Sequence, residues 1–543
     1  MAAGSSGGPE QGGQRAFWPM AAELLAAVGA LAVRAAAGLG VAPGDPRSGA
    51  HRAAYDRAGP VRLAPDTQPP VLRWQEAPAA AGPEAPPAPA PAAQAPPPPP
   101  ADPDFPPVCG AVPLPHSGLW AQYLLLALIL AAAAWFYIRS VWPGVAQAGG
   151  FDHNAWEAAA LLRGHVWTPA PPSGDTLDMM FFHGHWASFF PPLPAFILIP
   201  LVWYYKQPLR VPVREFCALI GALCPLLVYQ MAERAGLKVT VRLWLTALFA
   251  FGTVFWYAVD QGTPWYYVQV CTEFFYLLAL RESFGKNRPA LVGSLFGAAL
   301  LCRNTVALGV VFLFWRERRL DWRRLAGFCG PVALAVAVQV WWNWARTGNP
   351  LDTGYAHIMM GAGFRASFAQ GMFSYKHIPW QIYSIFFMAP AFHGQGNFNG
   401  VWPYLTLSGD GQSLLLTTPA FLYALEGDMR RRRVWLCSAA VLLTAIPQLL
   451  YYANGTGQFG NRFSLDYTPL LMALLIFGIG RRFRWQHAAL ILASIFLSGY
   501  GAVYAAGVHL VPKAWTDPPA VVQTAAAGGA QGGCPDFPWL PKC

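Results

Sequence analysis

Long apolar segments recur along this chain from residue 119 to about residue 507. A segment of about 20 apolar residues is long enough to cross the hydrocarbon core of a bilayer as a helix. Of the 543 residues, 55% are hydrophobic and only 12% are charged. That is roughly half the charged fraction of an average soluble domain. The pattern predicts an all-α polytopic membrane protein.

The lengths of the apolar runs predict about 11 transmembrane helices. They fall near residues 119–141, 215–232, 243–258, 265–281, 289–302, 304–315, 325–345, 412–427, 434–452, 467–480 and 487–506. We assign the run 192–205 as an interfacial or re-entrant helix instead. Pro191, Pro192 and Pro194 at its start suit a segment that enters the interface without crossing it. The alternative, a true span, would invert every later loop.

Lysine and arginine are concentrated in alternate connections between the apolar runs. These connections lie at 234–242, 281–288, 316–324, 430–433 and 481–484. The positive-inside rule makes them cytoplasmic, so the net charge of +10 is a topology signal and not the mark of a nucleic-acid partner. Two large loops, 142–214 and 346–411, then lie outside the membrane. The second contains an aromatic-rich stretch, 378–392, that predicts another interfacial helix.

The two ends of the chain differ in composition from the apolar region 119–507. Residues 1–118 are rich in Ala and Pro, which favours extended backbone over a packed core. We therefore expect a disordered cytoplasmic tail there. Residues 508–543 follow the last predicted span and are expected to form an extracytoplasmic tail.

The loop 142–214 holds the first candidates for catalysis. Asp152 lies shortly after the first predicted span, so its carboxylate would stay near the outer boundary of the membrane. There it could take a proton from an acceptor or bind a divalent ion that holds a phosphate. N-capping of the helix-like segment that follows is the alternative role. The second acid could be Glu157, Asp175 or Asp178.

Two arginines lie at the predicted outer ends of apolar runs. Arg303 is embedded in LLCRNTVAL, where a charge is costly in lipid and should face a polar cavity. Arg462 precedes a predicted span, and a guanidinium suits a phosphate bidentately. Both are candidate phosphate ligands. The alternatives are that Arg303 snorkels to the interface or pairs with an outer carboxylate such as Asp260, and that Arg462 pairs with Asp466 in its own segment.

Other polar residues are weaker candidates for substrate contact. Tyr355 and His357 could reach sugar hydroxyls, with aromatic packing as the alternative, and Asp260 could contact substrate or form a turn. His183 and His185 could bind a metal or a substrate, but no third ligand is evident and no metal site is predicted.

Five segments follow one another along the chain: FFHGHWASFFPPLPAFILIP (181–200), DQGTPWYYVQV (260–270), LVGSLFGAALLCRNTVAL (291–308), NWARTGNPLDTGY (343–355) and GQFGNRFSLDYTPLL (457–471). In this order they resemble the GT-C superfamily of membrane glycosyltransferases. The nearest branches are the protein O-mannosyltransferase-like and aminoarabinose-transferase-like enzymes, which are glycosyltransferase family 39-like. The resemblance covers about residues 119–507. Many relatives carry an Asp-Glu pair at the loop start, whereas here Asp152 is followed by His153.

The resemblance implies an inverting transfer of a sugar from a polyprenyl-phosphate-linked donor to a lipid, polysaccharide or protein acceptor at the extracytoplasmic face. It implies Asp152 as general base and Arg303 and Arg462, or one of them, at the donor phosphate. No cofactor is required by this chemistry, although Mg²⁺ or Mn²⁺ is an option. The resemblance is nearest to bacterial members, which implies a multi-pass protein of a bacterial inner membrane.

A flippase or transporter of lipid or sugar is the alternative function. Such a protein should carry ionisable residues near the midplane of several spans, whereas here they gather at the outer ends. The chain has no Gly-rich phosphate loop ending in Lys-Ser/Thr, no Gly-x-Ser-x-Gly and no HExxH. An ATP-driven pump and a zinc metalloprotease are therefore disfavoured.

Overall fold

The computed structural model describes residues 116–140, 153–168, 178–315, 321–358, 365–392, 405–406, 410–455, 458–479 and 483–507. Within these ranges the protein is mostly helical. Asp152 and Asp175 lie outside the described residues, and so do residues 1–115 and 508–543 of the two predicted tails.

The α-helices are α1 (His116–Ser140), α2 (His153–Leu161), α3 (Leu193–Tyr205), α4 (Val213–Arg234), α5 (Val239–Phe251), α6 (Phe255–Gln261), α7 (Pro264–Phe284), α8 (Pro289–Leu300), α9 (Val310–Leu313), α10 (Trp322–Thr347), α11 (Arg365–Phe368), α12 (Ile378–Phe386), α13 (Leu414–Thr417), α14 (Arg432–Leu450), α15 (Thr468–Gly478) and α16 (Trp485–Gly507). Short 3₁₀ helices span Pro208–Arg210, Asn304–Gly309, Tyr355–His357, Tyr375–His377, Pro419–Glu426 and Arg462–Asp466. The strands are β1 (Met179–Phe182), β2 (His185–Ser188), β3 (Ala391–Phe392) and β4 (Leu405–Thr406).

Among the described helices, α1, α4, α10 and α14 are long and apolar enough to cross a membrane, and α5 with α6, bent by 46°, is a fifth span if the pair is one broken helix. The chain is thus an integral membrane protein. The predicted count of about 11 spans is not confirmed. Several predicted spans are apolar helices of only 10–17 residues, namely α8, the helical turn 304–313 and α15. The predicted span 412–427 divides into α13 and a 3₁₀ helix.

Small residues bring α8 and α10 close together. A Cβ on Gly293 would meet the Phe328 carbonyl group, and a Cβ on Gly297 would lie 2.9 Å from Ala335 Cβ. Small residues spaced in this way let two membrane helices approach closely. The two helices run in the same direction, and α10 continues beyond the end of α8 on the side of Arg303.

Ion pairs join the ends of four helices that carry the basic connections. Arg242 Nη1 lies 2.8 Å from Glu233 Oε1 and joins α5 to α4, while Arg288 Nε lies 2.9 Å from Glu282 Oε1 and joins the start of α8 to the end of α7. Arg234 Nη1 lies 3.9 Å from Glu282 Oε2 and connects the two pairs. The predicted cytoplasmic connections 234–242 and 281–288 therefore lie together, at what we call the basic end.

The opposite end of the helices, here the loop end, carries parts of both predicted external loops. Strands β1 and β2 form a hairpin in which Phe182 pairs with His185. His183 and Gly184 form its two-residue turn with φ of 48° and 81°, the backbone that a type I′ turn requires. A further bridge pairs Met180 with Ile358 and so connects the loop 142–214 to the loop 346–411.

Candidate active site at the loop end

Arg303 is held by Asp466. It follows α8 in extended backbone, and its Nε and Nη2 lie 2.7 and 3.0 Å from the two carboxylate oxygens of Asp466. Thr305 Oγ1 donates a further hydrogen bond of 2.6 Å to Asp466. The expected alternative partner of Arg303 was Asp260, and that of Asp466 was Arg462. The structure instead pairs Arg303 with Asp466 in a bidentate contact.

Arg462 begins the 3₁₀ helix that Asp466 ends, yet its guanidinium is in a different situation. It lies 5.5 Å from the ring centroid of Tyr266 and 5.1 Å from that of Phe463. Its Nε is buried without a hydrogen-bond partner, and it forms no salt bridge with any residue that the structure describes. The backbone is fixed, because Gln269 Nε2 donates 2.8 Å to the Arg462 carbonyl oxygen. This guanidinium can therefore bind an anion without first losing a carboxylate partner.

Asp178 brings a carboxylate within electrostatic range of Arg462. It precedes β1 with φ of 58°, and Trp265 Nε1 at the start of α7 donates 2.9 Å to its Oδ2. Burial raises the pKa of Asp178 to about 6, although the Arg462 charge and the Trp265 hydrogen bond act in the opposite direction. Asp178 is therefore ionised at neutral pH and takes up a proton in mildly acidic solution.

Aromatic rings enclose these charged groups. The Tyr355 ring lies 4.7 Å from Phe189 and 6.3 Å from Tyr451, and Tyr451 lies 5.9 Å from Phe463. Burial raises the pKa of the Tyr355 phenol, so it is neutral and can both donate and accept a hydrogen bond. Faces of such rings pack well against the apolar faces of sugars and isoprenoids.

The other residues predicted to contact substrate are His357, His183 and Asp260. His357 Nε2 lies 2.7 Å from Asp352 Oδ2, and the His357 ring packs 4.3 Å from Phe182. His183 occupies the hairpin turn, where its ring also packs on Phe182 at 4.1 Å. Asp260 is buried near the end of α6.

The two histidines of the hairpin do not combine into a metal site in the described part of the chain. His183 packs on Phe182, whereas His185 stacks on Trp167 at 4.8 Å. Among the residues that the structure describes, no group of three or more His, Cys, Asp or Glu could hold a metal ion.

Glu157 is enclosed by protein. It is 1% exposed, and its Oε1 lies 3.7 Å from Arg346 Nη1 near the end of α10. Arg346 also donates to the carbonyl oxygen of Ser188, the last residue of β2, and its guanidinium covers the Trp342 ring. Burial raises the pKa of Glu157 to about 8, and the Arg346 charge opposes the rise. Arg346 thus ties α2 and the hairpin to a membrane helix.

Sequence reasoning did not single out Trp265, Tyr266 or Thr305. Trp265 and Tyr266 lie in the segment DQGTPWYYVQV and Thr305 lies in LLCRNTVAL, which entered the interpretation only for Asp260 and Arg303. The sequence did contain a signal for Trp265 and Tyr266, because Pro264 marks the start of a helix and these two residues follow it in the first turn.

No family model and no curated protein matches this sequence. Two solved structures of the oligosaccharyltransferase of Archaeoglobus fulgidus do match. The apo form matches with a TM-score of 0.41 at 12% identity over 78% of this chain and 60% of that chain. The archaeal oligosaccharyltransferase AglB in complex with an inhibitory peptide and a dolichol-phosphate matches with a TM-score of 0.36 at 11% identity over 71% and 56%. This chain spans less than two thirds of the length of either structure. At TM-scores this low, neither match indicates the function of this chain.

Proposed function

We propose that this protein is a glycosyltransferase that moves a sugar from a polyprenyl-phosphate-linked donor to an acceptor at the loop end of the membrane domain. The observation that carries the proposal is Arg462, whose guanidinium forms no ion pair within 4 Å with any described residue, packs on the rings of Tyr266 and Phe463, and interacts electrostatically with Asp178. A guanidinium without a direct carboxylate contact suits the phosphate of a lipid-linked sugar. The resemblance of the chain's own motifs to GT-C enzymes supports the same reaction.

The two arginines divide the work. Arg462 binds the donor phosphate and stabilises the negative charge that grows as the bond from the anomeric carbon to the phosphate oxygen breaks. Arg303 is a positioning residue, because its guanidinium is hydrogen-bonded to both carboxylate oxygens of Asp466 and so holds the 3₁₀ helix 462–466 in place. The phosphate leaves as an anion and needs no proton.

A carboxylate takes the acceptor proton while the acceptor oxygen or nitrogen attacks the anomeric carbon from the face opposite the phosphate, so the configuration inverts. Asp152 stays the predicted base from the family resemblance. Of the candidates for the second acid, we favour Asp178, whose charge interacts with that of Arg462, over Glu157, which is buried against Arg346. We assign Glu157 a positioning role.

The remaining parts of the proposal follow from the same chemistry. The neutral Tyr355 phenol and His357, held by Asp352, are proposed to contact sugar hydroxyls. The donor carries its energy in the glycosyl-phosphate bond, so neither ATP nor another cofactor is needed. The acceptor is a lipid, a polysaccharide or a protein, and the basic end is cytoplasmic in a bacterial inner membrane.

Purified full-length protein in proteoliposomes, incubated with a panel of polyprenyl-phosphate sugars and acceptors, tests the proposal. Asp178→Asn should abolish most transfer and keep donor binding, whereas Arg462→Gln should weaken donor binding. Asp321→Asn, at the exposed start of α10, is the matched control and should leave both unchanged.

Two results would count against a transferase. The first is absence of transfer with every donor while wild-type protein moves labelled lipid between leaflets, with no change in Asp178→Asn. That result would support the flippase. The second is donor binding that Arg462→Gln leaves intact.

A further inference from the structure

Helix α12 presents an aromatic face outward, whereas its inward face carries two polar residues beside the buried Ile385. Trp380 is 46% exposed, Tyr383 47% and Phe386 46%, whereas Gln381 and Ser384 are buried. A surface helix facing water has the opposite arrangement, with its apolar stripe turned to the core. The outward face of α12 is therefore better suited to an apolar environment than to water.

The helix lies at the end of a membrane-spanning segment. The strand-like residues before it are bonded to the end of α14: Ser374 N donates 2.8 Å to the Leu450 carbonyl oxygen, and Tyr452 N donates 3.0 Å to that of Met372. Since α14 is a candidate span that ends at Leu450, α12 begins at the level of the membrane boundary. Its nine residues are too few to cross a bilayer.

The buried polar face of α12 is bonded to the segment that carries the aromatic wall of the site. Gln381 Nε2 donates 2.9 Å to the Tyr451 carbonyl oxygen, and Asn454 Nδ2 donates 3.1 Å to Ser384 Oγ. The Tyr451 ring packs against Tyr355 and against Phe463, whose ring lies 5.1 Å from the Arg462 guanidinium. The hydrogen bond from the side-chain amide of Gln381 therefore couples the position of α12 to that of Tyr451.

We propose that the aromatic face of α12 lies in the interfacial layer of the lipid bilayer. With α12 anchored there, the hydrogen bond from Gln381 holds Tyr451 in the aromatic wall of the site. Trp and Tyr favour this layer because each has an apolar ring and a polar atom. The exposed Lys376 immediately before the helix suits the head-group region. The proposed lipid contact does not depend on the proposed function. Only the role of the Gln381–Tyr451 hydrogen bond in donor binding depends on it.

The lipid contact is tested by photolabelling in proteoliposomes with a carbene reagent dissolved in the bilayer, read out by mass spectrometry. Trp380, Tyr383 and Phe386 should be labelled, and Gln381 and Ser384 should not. Leu442, 69% exposed on α14, is the positive reference, and Leu351, 84% exposed in the loop 346–411, is the negative reference.

Three results would overturn the lipid contact. One is labelling of Leu442 without labelling of α12. Another is preferential labelling of the three aromatic residues by a water-soluble reagent. The last is a crosslink through Trp380 to a second copy of the chain in the bilayer, which would make the face a protein interface.

The link to Tyr451 is tested with Gln381→Met, which removes the hydrogen bond while keeping the length of the side chain. Donor binding should weaken several-fold with unchanged labelling of Trp380 and a comparable Tm. Ile382→Met, at the exposed neighbouring position, is the control and should bind donor as wild type does. Equal donor binding by the two variants would overturn the link. A wild-type protein that binds no donor would refute the proposed function and leave the labelling result standing.

Discussion

Arg303 and Arg462 carry the same charge at the same end of the molecule, yet their surroundings give them different tasks. Arg303 completes a bidentate pair with Asp466, and both side chains are largely buried. A buried pair adds little net stability over an apolar pair, but removal of one partner leaves the other charge uncompensated. Arg462 forms no ion pair within 4 Å with any described residue, so its removal breaks no direct carboxylate contact and removes only a longer-range interaction with Asp178.

Replacement of each arginine by glutamine should therefore separate stability from binding. Arg303→Gln should lower the free energy of unfolding by about 3–5 kcal/mol, because Asp466 loses its partner in a buried setting. Arg462→Gln should leave the Tm nearly unchanged and raise the donor Kd by about 10-fold or more, the loss of about 1.5–3 kcal/mol expected for a charge-assisted hydrogen bond. Thermal unfolding and donor binding on the same preparations check both statements; a reversed pattern would exchange the two roles.

Asp178 should give the transfer rate a dependence on pH. If this carboxylate must be ionised, activity rises as the pH passes through about 6. The Trp265 hydrogen bond favours the charged form, so Trp265→Phe should raise the pKa of Asp178 and move the midpoint of the profile to higher pH. A pH–rate profile of the two proteins measures the shift. Trp167→Phe, which stacks on His185 instead, should leave the midpoint where it is.

At the scale of elements, the hairpin β1–β2 determines where Asp178 lies, and its turn explains His183. The φ of 48° at His183 is a backbone conformation that Asn adopts more easily than most residues. His183→Asn should keep the Tm and most of the activity, because the turn keeps its shape. His183→Val should lower both, because a β-branched residue is strained at positive φ. Loss of transfer in His183→Asn with an unchanged Tm would show instead that the imidazole contacts substrate.

The Glu157–Arg346 contact between α2 and α10 should be visible in how stability depends on pH. The pKa of Glu157 is about 8 in the folded protein and close to 4.5 when exposed, so the folded state binds the extra proton between these values. The free energy of unfolding then falls as the pH rises from about 4.5 to about 8. Glu157→Gln should flatten this fall, whereas Glu215→Gln on α4 should not. Chemical unfolding of the reconstituted protein at several pH values is the measurement.

At the scale of the whole molecule, the two ends of the membrane domain should face different compartments. Leu425, 83% exposed beside the connection 430–433, belongs to the basic end, and Leu351, 84% exposed, belongs to the loop end. In intact cells an impermeant maleimide should label Leu351→Cys and spare Leu425→Cys until the membrane is opened. Wild-type protein gives the background from its native cysteines. Labelling of Leu425→Cys in intact cells would reverse the orientation.

The sequence by itself determined features that depend on neighbours along the chain. Apolar length located the helices α1, α4, α10 and α14, and the local concentration of Arg and Lys marked the connections that meet at the basic end. A charge within an apolar run likewise indicated Arg303, because burial of a charge is costly wherever the helix packs. A guanidinium just before a predicted span indicated Arg462. Each of these signals is contained in about 20 residues or fewer.

Only the tertiary structure decided which side chains meet. Asp466 is 163 residues from Arg303 and Trp265 is 87 residues from Asp178, distances over which no local pattern acts. Asp466 accepts from Arg303 and not from its near neighbour Arg462, and Glu157 is buried against Arg346 while Asp178 accepts from Trp265. Pairing and burial depend on how the helices pack, and they set the charge and reach of each group. For that reason the residue types of the site could be predicted, but the task of each residue could not.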